Sequence, residues 1–213
     1  MRIFVQIWIG TIFKIGPSSG TFINVFDIRE ESIEDNRGYL STKIQKLLGF
    51  FGLIFGNLNE EEKAMIEEKL IETYSRKGIT FDDNTLYKKP KMDKIHIKPI
   101  FKESSQMPIF SDFYGVLSED IKMKKYAMQI LPFVSGSLSF FNHYTNLEIE
   151  NKLIIADIYE LGEDNLKYGM YIFTELFWDR IKKDRSVKKA IYLDEIWRLI
   201  GVTSNKEVAR IYL

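Results

Sequence analysis

The sequence predicts an α/β protein in which a parallel sheet carries a mostly helical inserted subdomain. Three observations carry that expectation. Lys152–Tyr159, a helix beginning near Asp164, and Ala190–Leu193 make one strand–helix–strand unit, and such crossovers are right-handed and give parallel strands. The amino-terminal residues up to Ile15 are mainly apolar, β-branched and aromatic, as strands are. Between these two strand-bearing ends, residues 38–146 read as helices.

At 213 residues the chain is long enough to bury roughly 70% of its unfolded surface and so to have a real core. Its 30 basic and 30 acidic side chains cancel, so no overall field draws it to nucleic acid or to an anionic membrane. Any such contact must be local. The absence of cysteine excludes disulfides, thiolate metal sites and a cysteine nucleophile, and suits a reducing compartment. His96 and His143 stand too far apart, with no spaced companions, to predict a zinc site.

Taken in order, Met1–Ile9 is apolar behind Arg2, but Gln6, Gly10 and Lys14 interrupt the run and no small-residue cleavage site follows. It reads as strand. Leu47–Phe55, the other apolar block, falls well short of the ~20 residues that span a bilayer, so no transmembrane segment is expected. Gly16–Gly20 is a turn by composition, Thr21–Ile28 reads as a short extended piece, and Arg29–Arg37 is dense in charge. Gly38–Phe55 reads as a helix. The next helix is capped by Asn59 with Glu62 as its reciprocal partner, places Ile66, Leu70 and Tyr74 on one face, and ends near Gly78. Both are packing elements.

Thr80–Gln106 is a long polar connector with Pro90 and Pro99. Its lysines at 88, 89, 91, 94, 98 and 102, interleaved with Tyr87, His96 and Phe101, are a pattern for touching single-stranded nucleic acid. Asp82, Asp83, Asp93 and Glu103 dilute that field, so a solvated loop is the preferred reading and DNA contact the weaker one. Ser111–Leu131 reads as two more helices, with Pro132 and Gly136 marking the return. The last helix, capped by Asp164, carries Leu166, Met170, Phe173, Phe177 and Ile181 at helical spacing, and Lys182-Lys183 suits its carboxyl-terminal dipole.

The stretch with the most chemical content is Lys188–Trp197. Apolar Ala190–Leu193 runs into Asp194 and Glu195, and Ile196–Ile200 is helix-compatible. Ligands of open α/β sheets sit beyond the carboxyl ends of the strands, so this is the Walker B pattern of P-loop NTPases. In that pattern Asp194 is the metal ligand, usually through water, and Glu195 is the catalytic residue that positions or deprotonates the attacking water. The plainer alternative is a strand that ends in acids because acids favour a helix start. The phosphate-gripping pattern G-x-x-x-x-G-K-[ST] occurs nowhere in the sequence.

Gly10-Thr11, Lys14–Gly20, Ile23-Asn24 and Phe26-Asp27 open a longer series. Met107-Pro108, Ser111–Phe113, the Gly136-Ser137 turn, Ala156–Ile158 with Leu161, and Tyr192–Trp197 continue it. Their order and spacing resemble the VirB-four/TraE conjugation ATPases of type IV secretion systems, over about Gly10–Ala209. The resemblance implies a partial RecA-like P-loop NTPase core in residues 1–37 and 147–213, with the helical insertion subdomain at 38–146. It also implies ATP and Mg²⁺ as cofactors of the intact family, and other secretion ATPase subunits and channel components as partners. The place implied is cytoplasmic, or peripheral at the inner face of the cell membrane.

The departures shape the functional expectation. The family's Walker A loop lies upstream of the position matched by Gly10, Met1–Trp8 does not match, and the family continues beyond the position of Leu213. Val25 stands where the family usually has proline. The chain is therefore expected to be a truncated central fragment that keeps Walker B, binds no nucleotide tightly, and does not hydrolyse ATP alone. The alternative is a non-catalytic interaction module that docks on secretion ATPase subunits or on the secretion channel.

Overall fold

A computed structural model describes residues 10–30, 38–88, 100–147, 151–183 and 186–194. β1 (Gly10–Lys14) is built from Thr11, Ile12 and Phe13, residue types that suit a pleated, half-buried surface. The turn after it closes with the Ser19 amide donating to the Gly16 carbonyl at 3.2 Å. Thr21–Ile28, expected as an extended piece, instead folds back on itself. Asn24 directs this: its side-chain oxygen accepts from the Phe26 amide at 3.0 Å, while its carbonyl accepts from the Asp27 amide at 3.2 Å. Val25 thereby occupies the second position of a turn, where proline is favoured.

α1 (Tyr39–Phe55) buries Leu40, Ile44, Leu47 and Phe51, a helical stripe, and stops at Gly56, whose φ of 79° lies in the left-handed region. α2 (Glu60–Arg76) begins with the expected reciprocal cap. The Asn59 side chain accepts from the Glu62 amide at 2.8 Å, and the Glu62 carboxylate accepts from the Asn59 amide at 3.0 Å. Ile66, Leu70 and Tyr74 face the core.

The connector is more ordered than its composition suggests. A 3-10 turn at Asp83–Leu86 leads into β2 (Tyr87–Lys88), which pairs antiparallel with β3 (Ile100–Phe101). The Tyr87 and Phe101 rings meet edge to face, 5.2 Å between centroids, so they pack on each other and offer no open stacking platform. His96 and the lysines at 89, 91, 94 and 98 lie outside the described residues. α3 (Phe110–Glu119) and α4 (Lys124–Ser135) follow, joined by a 3-10 turn. Pro132, expected to end the helix, sits within its final turn, where the Gly136 and Leu138 amides both donate to the Pro132 carbonyl.

β4 (Leu153–Asp157) pairs in parallel with β1, Gly10 opposite Leu153 and Lys14 opposite Asp157. Residues 15–152 are thus one connection between two neighbouring parallel strands. α5 (Leu166–Lys183) packs on α1, and Gly49 makes the approach possible: a Cβ there would lie 2.8 Å from the Tyr171 hydroxyl. Asp164 is not its cap but lies within a preceding 3-10 turn, Glu163–Asn165. A further expectation is corrected: Ala190–Leu193 does not form a strand, and Tyr192 is 93% exposed. The run has no ladder partner among the described residues.

The core is a single apolar cluster. Phe26, fully buried, sits among the rings of Phe51, Phe110 and Phe113 at centroid distances of 6.0, 5.4 and 6.0 Å. The cluster continues through Phe50 to Tyr171 of α5. Among the described residues no helix is long and apolar enough to cross a membrane.

Candidate functional site

In a parallel sheet the place to look for a ligand is the carboxyl end of the strands. There Lys14 and Asp157 end β1 and β4, with Lys14 Nζ 3.7 Å from Asp157 Oδ2. Asp157 also accepts from the Tyr159 amide at 3.1 Å. Glu160 comes over the turn that follows β1: Ser18 Oγ donates to its carboxylate at 2.7 Å, and a Cβ on Gly16 would lie 2.5 Å from Glu160 Cβ. The rim therefore brings together one ammonium and two carboxylates. Two of its turn amides are committed, that of Ser19 to Gly16 and that of Thr21 to the Ser19 hydroxyl at 3.2 Å. One ammonium against two carboxylates does not fit a triphosphate, which needs net positive charge.

Asp194, the expected metal ligand, is exposed and lies in a turn. Glu195, the expected catalytic carboxylate, falls outside the described residues. Among the described residues no three His, Asp or Glu side chains gather as a metal site would require.

Two polar clusters are built from residues distant in sequence. In the first, Asn24 and Asp27, 1% and 5% exposed, anchor the loop after β1. The Asp27 carboxylate accepts from Asn24 Nδ2 at 3.0 Å, from Ser104 Oγ at 2.7 and 2.9 Å, and from the Thr145 hydroxyl. Asn24 Nδ2 also donates to the Pro108 carbonyl at 2.7 Å. Asn-x-x-Asp in an apolar stretch was visible, but partners 77 and 118 residues away were not.

In the second, Arg29, Lys43 and Lys46 meet Glu175 and Asp179 between the Asn24–Arg29 loop, α1 and α5. Lys46 Nζ lies 2.6 Å from Asp179 Oδ1 and 2.9 Å from Glu175 Oε2. Burial lowers the Lys46 amine, and the two carboxylates outweigh it, so its proton is held above the ordinary range. Lys43 behaves in the opposite way. Burial, then repulsion from Arg29 and Lys46, pushes it down to about 8 against the pull of Glu175 and Asp179.

No family model matches the chain, and no curated protein matches it by sequence. Among solved structures it is similar to VirB4 of Thermoanaerobacter pseudethanolicus, with a TM-score of 0.76 and 20% identity. The likeness covers 99% of this chain and 75% of that one. At this identity it is a likeness of fold. It bears out the expected α/β class with parallel strands and is consistent with a partial RecA-like core.

Proposed function

We propose that this chain derives from the ATPases of type IV secretion and conjugative transfer, with residues 1–37 and 147–213 as the core part and 38–146 as the helical insertion. The observation that carries the reading is the fold match to VirB4 over 99% of the chain, joined to a sequence order that resembles the same family. In this reading Asp194 and Glu195 are the Walker B pair, Asp194 toward Mg²⁺ and Glu195 toward the attacking water. The same reading makes the chain inactive by itself. Removing one preorganised transition-state donor costs roughly 10²–10³ in rate, and a sequence without a phosphate loop lacks several. Its partners are then other secretion ATPase subunits and channel components, in the cytoplasm or at the inner face of the membrane.

Purified chain is expected to show no ATP turnover above that of Glu195→Gln, and no Mg²⁺-dependent nucleotide binding at equilibrium. Turnover by the wild type that Glu195→Gln abolishes would falsify the inactive reading. A second reading, a non-catalytic module that docks on an intact secretion ATPase, is favoured by Ile12, Leu153 and Ile155, which stay exposed on the two-stranded sheet. Co-purification with an intact VirB-four-type ATPase is its expected signature, and loss of that complex in Ile155→Lys would place the contact on the sheet.

A further inference from the structure

The outer side of α4 is apolar where a surface helix is ordinarily polar. Met123, Tyr126, Ala127, Ile130 and Phe133 are buried and hold the helix to the core. Opposite such a stripe polar residues are the rule, and α2 follows it with Glu61 and Glu68 exposed. On α4, however, Met128 is 64% exposed, and Ile121, in the 3-10 turn that leads into the helix, is 82% exposed. Seven residues make nearly two helical turns, so both lie on the side away from the core, and exposed Pro132 continues the line one turn further. Single apolar side chains at a surface are common, but aligned along one edge they form a patch.

The same edge carries positive charge that its neighbours do not cancel. Lys122 and Lys124 are exposed, and their ammonium groups make no ion pair or hydrogen bond among the described residues. The acids that border them are engaged elsewhere. Glu62 accepts from Lys125 at 2.6 Å, Glu119 accepts from Arg76 at 2.7 Å, and Asp120 lies 3.5 Å from Lys69 Nζ. Because the chain as a whole has zero formal charge, this excess is local to the α3–α4 corner.

We infer that the Ile121–Met128 edge docks on an anionic lipid bilayer, with Ile121 and Met128 entering the headgroup boundary and Lys122 and Lys124 meeting the lipid phosphates. A side chain that is 82% exposed lines no groove, so it suits a soft surface that admits it rather than a rigid partner that must close around it. Apolar tips flanked by lysines are the chemistry of a helix that lies in the membrane interface. The contact is with one surface only, since no described helix is long and apolar enough to cross. Each lysine near an anionic surface strengthens binding by about fivefold, so two lysines and two tips give weak, reversible, salt-sensitive attachment. The inference gives the membrane placement in the secretion reading a particular face but rests on this edge alone. Vesicle binding needs no nucleotide, so its failure leaves the ATPase descent standing, and failure of that descent leaves the edge as it is.

The test is co-sedimentation of the full chain with vesicles of phosphatidylcholine alone, and of phosphatidylcholine with about one third phosphatidylglycerol, at low and at high salt. Binding is expected to the anionic vesicles only, and to fall as salt rises. Lys122→Glu with Lys124→Glu is expected to weaken it at least about tenfold. Ile121→Ser with Met128→Ser is expected to weaken it severalfold while leaving the salt dependence in place, which separates insertion from charge attraction. All four positions are exposed, so both double variants are expected to keep the wild-type circular dichroism spectrum and Tm. Equal binding to neutral and anionic vesicles, no binding to either, or undiminished binding by either double variant would overturn the inference. So would retention on immobilised polyglutamate that exceeds retention on the vesicles, which would assign the edge to an acidic protein partner instead.

Discussion

Asp27 shows how one carboxylate can hold distant parts of a chain. Its oxygens collect donors from Asn24 nearby, from Ser104 at the 3-10 turn before α3, and from Thr145 after α4. The Thr145 amide in turn donates to Ser104 Oγ at 2.8 Å, and the Asn24 amide to Thr145 Oγ1 at 2.9 Å. A buried carboxylate with this many donors is worth little more than its desolvation cost when intact, but removing it strands every donor. Asp27→Ala is therefore expected to cost about 3 kcal/mol, read from urea unfolding with an unchanged slope. A loss under about 0.5 kcal/mol, the size of an ordinary surface change, would show that solvent satisfies these donors equally well.

At the scale of elements, Glu62 ties two helices by charge as well as by capping. Its carboxylate caps α2 and accepts from Lys125 of α4 at 2.6 Å. Hydrogen bonds from Lys125 first, and from the Asn59 amide, pull it from 4.5 down to about 2. A depressed carboxyl contributes stability above its unfolded value and loses it as pH falls through the folded one, so the window runs from about 4.5 to about 2. Glu62→Gln keeps a capping oxygen but removes the charge. The variant is expected to lose stability at neutral pH and to show a shallower decline through that window, measured by denaturant unfolding at several pH values. An unchanged slope would assign the acid response to other groups, Glu72, Glu103 and Glu119 among them, which are also held low.

The same scale shows what could be read from sequence. The helices and the Asn59–Glu62 cap were legible because their signals are local: apolar residues every three or four positions, and a capping pair three apart. Elements that depend on a distant partner were not. Tyr87–Lys88 becomes a strand only against Ile100–Phe101, and Ala190–Leu193, which has strand-forming residues, has no partner among the described residues and remains unpaired. Asn24 illustrates a third case, in which a side chain competing for backbone hydrogen bonds overrides a strand-like apolar string. The Asp194–Glu195 pair was legible as a motif, while the cavity beside Lys43 was not, since its walls come from residues 23 to 175.

For the molecule as a whole, the pairing of β1 with β4 closes a connection that contains nearly all the helices. The entropy of such a closure grows only slowly with length, so the insertion is tolerated provided that it packs on both strands' own elements. It does: Phe26, twelve residues beyond the end of β1, is the centre of the ring cluster of α1 and α3, and its carbonyl accepts the buried Tyr74 hydroxyl of α2 at 2.5 Å. Phe50 of α1 then passes the packing on to Tyr168 and Tyr171 of α5, at 6.0 and 5.6 Å. A core continuous across the strand-following loop, the inserted helices and α5 predicts one cooperative unit rather than two that open separately. Phe26→Ala, which removes a fully buried ring, is expected to cost about 3–5 kcal/mol. Native-state hydrogen exchange should then show amide protection falling by the same factor in α1, α3 and α5. If α5 kept its protection while α1 and α3 lost theirs, the inserted helices would be an independent unit, and the contacts through Phe50 would be too weak to couple them to the sheet side of the molecule.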